Sequence, residues 1–164
     1  MKPPLENQSV KSVGLALKKA RLPNTIIDLC IMARTADEAA NAIGAPVGSI
    51  VKSLVFYIDK VIVMVLIAGD KQCVPANLQK TFKLTGTVRK ATAIEVKKTT
   101  GFTIGGVAPI GLLNPIPIAI DQSLERFPIL HAAAGHPTCV FSISFDNLVY
   151  VAKGAVSNEI ANQE

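Results

Sequence analysis

The sequence has no tryptophan, two tyrosines, two histidines and three cysteines among its 164 residues. Each scarcity excludes something. Without Trp, and with only Tyr57 and Tyr150, the chain lacks the usual aromatic platform on which single-stranded bases stack, so stacking is not its main grip on any RNA. Cys30, Cys73 and Cys139 are odd in number, form no CxxC pair and have no His cluster beside them. That excludes a disulfide framework and a zinc site, and unpaired thiols fit a reducing compartment. The longest apolar run, residues 61–69, is less than half of the roughly 20 residues a membrane span needs. Residues 1–8 lack the apolar stretch of a signal peptide. A cytoplasmic protein with no membrane partner, no metal and no cofactor is therefore expected.

Hydrophobic residues make up 49% of the chain against 18% charged, enough for one substantial core. The net charge is +5, and the excess is local: residues 71–98 carry a net +6, so the remainder sums to −1. The basic residues concerned are Lys71, Lys80, Lys83, Arg89, Lys90, Lys97 and Lys98, which form either a solvated helical face or a polyphosphate-binding strip.

Residues 1–8 read as a flexible N-terminal tail and 9–164 as one domain. Ser9 or Ser12 caps a first helix that stops near Pro23. Residues 25–30 have strand character. Thr35 and Glu38 form a capping box for a second helix, ended by Gly44. Residues 51–58 and 61–68 are β-rich and joined by Asp59-Lys60, which predicts a hairpin, and the second run, apolar on both faces, predicts a central strand. A short helix from Pro75 to Phe82 and a helix from the Thr92–Glu95 capping box to Gly101 follow. The Gly- and Pro-rich residues 101–117 predict a structured loop. Beyond it come a strand over 116–120, a turn over 122–127, a hairpin over 129–143 around Gly135-His136-Pro137, and a last helix from Ser144 closed by Gly154. Helices and strands mix without βαβ alternation. The expected fold class is α+β: a single domain with a curved, barrel-like mixed or antiparallel sheet and flanking helices.

Conventional catalytic sets are missing. There is no GxSxG, no Walker A, no GxGxxG, and no carboxylate pairing among Asp28, Asp59, Asp70 and Asp121. His136 reads as a solvated turn residue, His131 as a core or rim histidine, and Cys73 and Cys139 as packing. Two features stand out. Lys52 opens an otherwise apolar strand, so it is either a strand-edge lysine or a cation aimed into a pocket, since an unpaired buried ammonium is costly. The loop Gly105-Gly106-Val107-Ala108-Pro109-Ile110-Gly111 is either a tight turn or a stiff cradle whose main-chain amides face a ligand.

Taken with Thr35-Ala36-Asp37-Glu38-Ala39-Ala40, Ile50-Val51-Lys52-Ser53-Leu54-Val55-Phe56, Ala68-Gly69-Asp70, Ile120-Asp121 and Ala134-Gly135, these features carry a resemblance. From about Thr35 to Lys153 the chain resembles the YbaK family of aminoacyl-tRNA deacylases, related to the editing domain of bacterial prolyl-tRNA synthetase. The resemblance implies a hydrolase that removes a small amino acid from a mischarged tRNA, most readily tRNA-Pro. In it, Lys52 holds the tRNA 3′ end and Gly105 binds the aminoacyl ester through the backbone, the two catalytic positions. A positioned water would hydrolyse the ester, helped by the 2′-hydroxyl of the terminal adenosine. Thr35, Gly106, Pro109, Gly111, Asp121, His131 and Gly135 are the expected substrate-binding residues, and the basic strip the expected tRNA contact. The partners implied are mischarged tRNA and an aminoacyl-tRNA synthetase. Where relatives carry a polar residue before the late Ala-Gly, this chain has alanines, which makes the pocket less polar. The other class of function is a non-catalytic module that binds a tRNA 3′ end or a nucleotide beside a synthetase.

Overall fold

The structure is a computed structural model, and it describes residues 2–162. Thirteen helices and strands make one α+β unit: α1 (Gln8–Lys19), β1 (Ile27–Asp28), α2 (Ala36–Ile43), β2 (Ile50–Ile58), β3 (Val61–Ala68), α3 (Leu78–Phe82), β4 (Val88–Lys90), α4 (Ala93–Thr100), β5 (Ile118–Asp121), β6 (Leu130–Ala133), β7 (Cys139–Ile143), α5 (Phe145–Ala152) and β8 (Ala155–Ser157). Of the expected tail, residues 4–6 form a 3-10 turn and Gln8 begins α1, while Met1, like Gln163 and Glu164 of the expected domain, lies outside the described residues.

All eight strands join one mixed sheet, ordered β1-β7-β6-β2-β3-β5-β8, with β4 also on β2. Its end strands do not pair, so the sheet is open rather than closed into the expected barrel-like form. The hairpin β2–β3 is its spine, in continuous antiparallel register from Val51↔Ala68 to Ile58↔Val61. Asp59 supplies the left-handed residue of the turn (φ 55°), a role Asp tolerates where a glycine is usual. β3 is central as expected: it lies between β2 and β5, and Val63 to Ala68 are fully buried. One face of the sheet packs on α1, α5 and the 101–117 loop through Val13, Leu17, Phe102, Ala108, Ile110 and Leu148. The opposite face packs on Leu78 of α3 and on Ile160 and Ala161.

Several local expectations change. Asn7, not Ser9 or Ser12, caps α1, its side chain accepting from the Ser9 N–H at 2.9 Å. Thr35 does cap α2, but Glu38 reaches one residue further back and accepts from the Arg34 N–H at 2.7 Å, so the box is not reciprocal. Lys153, not Gly154, takes the left-handed position after α5; Gly154 is needed because a Cβ there would lie 2.7 Å from the Ile120 side chain. The strand expected over 25–30 shrinks to two residues, and β4 and β8, three residues each, had no pattern long enough to read.

Candidate functional site

The edge of β2 opposite β3 is split. β6 pairs there with Ile50 and Val51 only, and β4 with Phe56 to Ile58 only, so no strand pairs with residues 52–54 on that side. The Val55 carbonyl accepts from the Ala91 N–H (3.0 Å) and the Asp59 N–H donates to the Thr87 carbonyl (2.9 Å). Odd-numbered residues of β2 therefore turn their main-chain groups to the split edge, and those of Ser53 face the opening. Over the opening lies a cavity of about 580 Å³. α2 contributes Ala36, Asp37 and Ala39, β6 contributes His131 to Ala133, β4 contributes Lys90, and the glycine loop contributes Ile104, Gly105 and Val107.

Lys52 and Gly105 thus line one cavity, together with Thr35, Lys90 and His131. The Lys52 ammonium donates to the Lys71 carbonyl at 2.5 Å, which leaves two of its three N–H groups for a ligand. Burial pushes its pKa below the ordinary lysine value, against the opposing fields of Asp70, Cys73, Asp121 and Asp37. Half-buried His131 is likewise shifted down by burial, which favours its neutral form. Thr35 Oγ1 already accepts the helix-capping bond from the Glu38 N–H, which leaves its O–H and one lone pair for a ligand. Cys73 is pushed up to about 11 by burial, which keeps it a thiol beside the two lysines rather than a nucleophile. The Ser53 hydroxyl is buried with no hydrogen-bond partner among the described residues.

The other expected binding residues lie outside the cavity lining, each with a structural task. A Cβ on Gly106 would sit 2.8 Å from the His136 backbone, and its N–H is spent on the Thr103 carbonyl at 3.0 Å. Gly111 and Gly135 pack against the backbone of α1, where a Cβ would lie 2.8 Å and 2.6 Å from the carbonyls of Ser12 and Ser9. Pro109 is buried in the loop. Asp121 is 3% exposed, and its carboxylate accepts from the N–H groups of Ala68 and Ser123 and from the Ser123 hydroxyl. His136 is also occupied locally, its Nδ1 accepting from the Thr138 N–H.

The basic strip is less available than its formal charge suggests. Lys71 is 9% exposed, so it is no surface cation. Arg89 makes a bidentate pair with Glu95 and lies over the Tyr57 ring, Lys80 pairs with Glu159 from the far end of the chain, and Lys97 donates to the Gly101 carbonyl. Lys83 and Lys98 stay exposed, and Lys90 turns out to belong to the cavity. Sequence reasoning missed Lys90 and Ser53 as cavity residues; only the pairing of β4 and the split edge reveal them. Among the described residues no cluster of three His, Cys, Asp or Glu side chains could hold a metal, and no helix is long and apolar enough to cross a membrane.

Comparison with known proteins agrees with this geometry. A crystal structure presented as a candidate trans-editing enzyme for prolyl tRNA synthetase superposes with a TM-score of 0.87 at 34% identity, covering 94% of this chain and 98% of that one. YwhH of Bacillus subtilis (strain 168), a protein without an assigned function, is 30% identical over 128 residues, 77% of this chain and 80% of its own. The proline–tRNA ligase of Shouchella clausii (strain KSM-K16) is 33% identical over 126 residues, 74% of this chain but 20% of the ligase. The chain thus spans about a fifth of such a ligase. The family model of the aminoacyl-tRNA editing domain matches residues 32–150, which takes in the whole cavity wall from α2 to β7, and the chain belongs to that family.

Proposed function

We propose that this protein is a trans-editing deacylase that hydrolyses the ester of a small amino acid mischarged on tRNA, with tRNA-Pro the leading substrate. The observation that carries the reading is that Lys52 and Gly105 share one cavity. Lys52, with Lys90 beside it, attracts the phosphate-rich 3′ end, and the exposed main chain at Gly105, which has no Cβ, lets the ester approach closely. The main-chain groups of Ser53 on the split strand edge offer further hydrogen bonds.

No side chain has to act as nucleophile. An aminoacyl ester is already activated, so a positioned water, assisted by the 2′-hydroxyl of the terminal adenosine, suffices once the developing oxyanion has a donor. Neutral His131 is available to orient that water or the amino group. The alanines at 132 and 133 and the apolar wall from Ile50, Val51 and Val140 favour a small aliphatic side chain. Such a wall selects by size, at roughly 1–3 kcal/mol per methylene. The proline–tRNA ligase relatives and the near-complete overlay with a candidate trans-editing enzyme support tRNA-Pro and action apart from a ligase.

The test is release of labelled amino acid from a panel of mischarged tRNAs, with and without the protein. Hydrolysis of a small aminoacyl-tRNA, strongest on tRNA-Pro, is expected. No hydrolysis of any member would overturn the proposal in favour of the non-catalytic binding module.

A further inference from the structure

Lys52 is held by a main-chain carbonyl, and a carbonyl holds a cation only as well as its own turn is held. The turn in question follows β3. The Lys71 N–H closes it on the Ala68 carbonyl (2.9 Å), and the Gly69 N–H ties it to the Ile50 carbonyl (2.8 Å). Gly69 is packed so tightly that a Cβ would lie 2.2 Å from the Val47 carbonyl. Asp70, at the corner, accepts a two-pronged contact from the Arg126 guanidinium, at 2.9 and 2.7 Å. Arg126 is itself fixed: its Nε donates to the Ser123 carbonyl and it lies 4.9 Å over the Phe127 ring. Asp121 caps the 3-10 turn that carries Arg126 and, with the same carboxylate, binds the Ala68 N–H at the root of the Lys71 turn. Two segments more than fifty residues apart are thus locked together at the turn whose Lys71 carbonyl accepts from the Lys52 ammonium.

We propose that Asp70 and Arg126 are positioning residues for Lys52: their fork fixes the turn after β3 so that the Lys71 carbonyl aims the ammonium into the cavity. Neither side chain lines the cavity, so neither is a catalytic residue. The bidentate fork matters because a planar guanidinium sets orientation as well as distance, which a lysine cannot do. This inference rests on the reading that Lys52 works at the 3′ end of tRNA, but it can be tested without turnover.

The experiment measures acetylation of the Lys52 amine by a limiting dose of an N-hydroxysuccinimide ester, quantified by peptide mass spectrometry, with exposed Lys60 as internal control. The variants are Arg126→Lys and the double substitution Asp70→Asn/Arg126→Gln. Arg126→Lys keeps every local charge, whereas the double substitution also removes the Asp70 field that holds the Lys52 pKa up, so Arg126→Lys is the variant that separates the fork from a field effect. Loss of the fork is expected to raise Lys52 labelling about three- to ten-fold in both, with Lys60 unchanged, the size of coupling a packed turn transmits. Deacylation by the same variants should fall in parallel, and a further Lys52→Ala substitution should abolish the difference between them. A lowered melting temperature with unchanged Lys52 labelling would reduce the pair to a structural brace and overturn the proposal. Raised labelling in a protein that deacylates no tRNA would uphold the positioning role and sink the proposed activity instead.

Discussion

Gly105 and Gly111 stand in one loop, both with positive φ (100° and 73°), yet they face different things. A Cβ at Gly105 would rest 3.7 Å from Pro137, an ordinary contact at the cavity mouth, whereas one at Gly111 would strike the Ser12 carbonyl at 2.8 Å. Gly135, across the late hairpin, repeats the Gly111 situation against Ser9. One loop therefore has a half that docks the first helix and a half that walls the site. Glycine in a family motif is required for two reasons that the sequence writes identically: room for a neighbouring backbone, and room for a ligand.

The largest expected effect lies on the docking half. Gly111→Ala and Gly135→Ala combine left-handed strain with a backbone clash that α1 cannot relieve by a rotamer change. Each should cost roughly 2–4 kcal/mol in chemical denaturation, with activity tracking the folded fraction. Lys52→Ala belongs to the other half of the comparison. It should lower deacylation kcat/KM by about 10²-fold while the unfolding free energy moves by no more than about 1 kcal/mol, because it removes a half-buried cation and not a packed group. Gly105→Ala should fall between them, losing about 10-fold in kcat/KM for about 1 kcal/mol of backbone strain. If it proves as destabilising as Gly111→Ala, the division of the loop into two tasks is wrong.

The pH dependence sharpens the same contrast. Lys52 has to be charged to hold a phosphate-rich 3′ end, and burial places its pKa below 10.5, so affinity for tRNA should weaken with rising pH earlier than an exposed lysine would allow. The stability contribution of this group has the opposite sign. Its folded pKa lies below the unfolded one, so the unfolded chain binds the extra proton between the two values, and this contribution to stability rises with pH through that window. Binding titrations and denaturation curves from pH 7 to 10.5 would separate the two. The smallest effect is at Ser53: Ser53→Ala removes a buried hydroxyl with no partner among the described residues, and should leave stability unchanged or raise it by up to about 1 kcal/mol. A loss of stability there would mean the hydroxyl is satisfied in solution.

Much of the fold was legible. The β2–β3 hairpin, the Thr92–Glu95 capping box and the left-handed closure at Gly44 are local patterns, and each stands as read. The short strands β4 and β8 were not, because three residues give no periodicity and their existence depends on β2 and β5 being there to pair with. The same asymmetry holds at the site. Lys52 and the Gly105 loop stood out by type and context but took their roles, as Asp121 did, from the family resemblance, and only the structure shows that the Asp121 carboxylate is buried and accepts from three donors.

The sequence alone determined the β2–β3 hairpin, the turn at Asp59-Lys60 and the ends of α2 and α4, because local spacing and turn chemistry settle those matters. Tertiary structure alone decided that β6 and β4 pair with opposite ends of β2 and leave its middle open. It also decided that Lys90 joins Lys52 at that opening, while Lys80 and Arg89 are drawn to Glu159 and Glu95. Those outcomes depend on which distant segments compete for the same strand edge or the same charge, a competition that no stretch of sequence contains by itself.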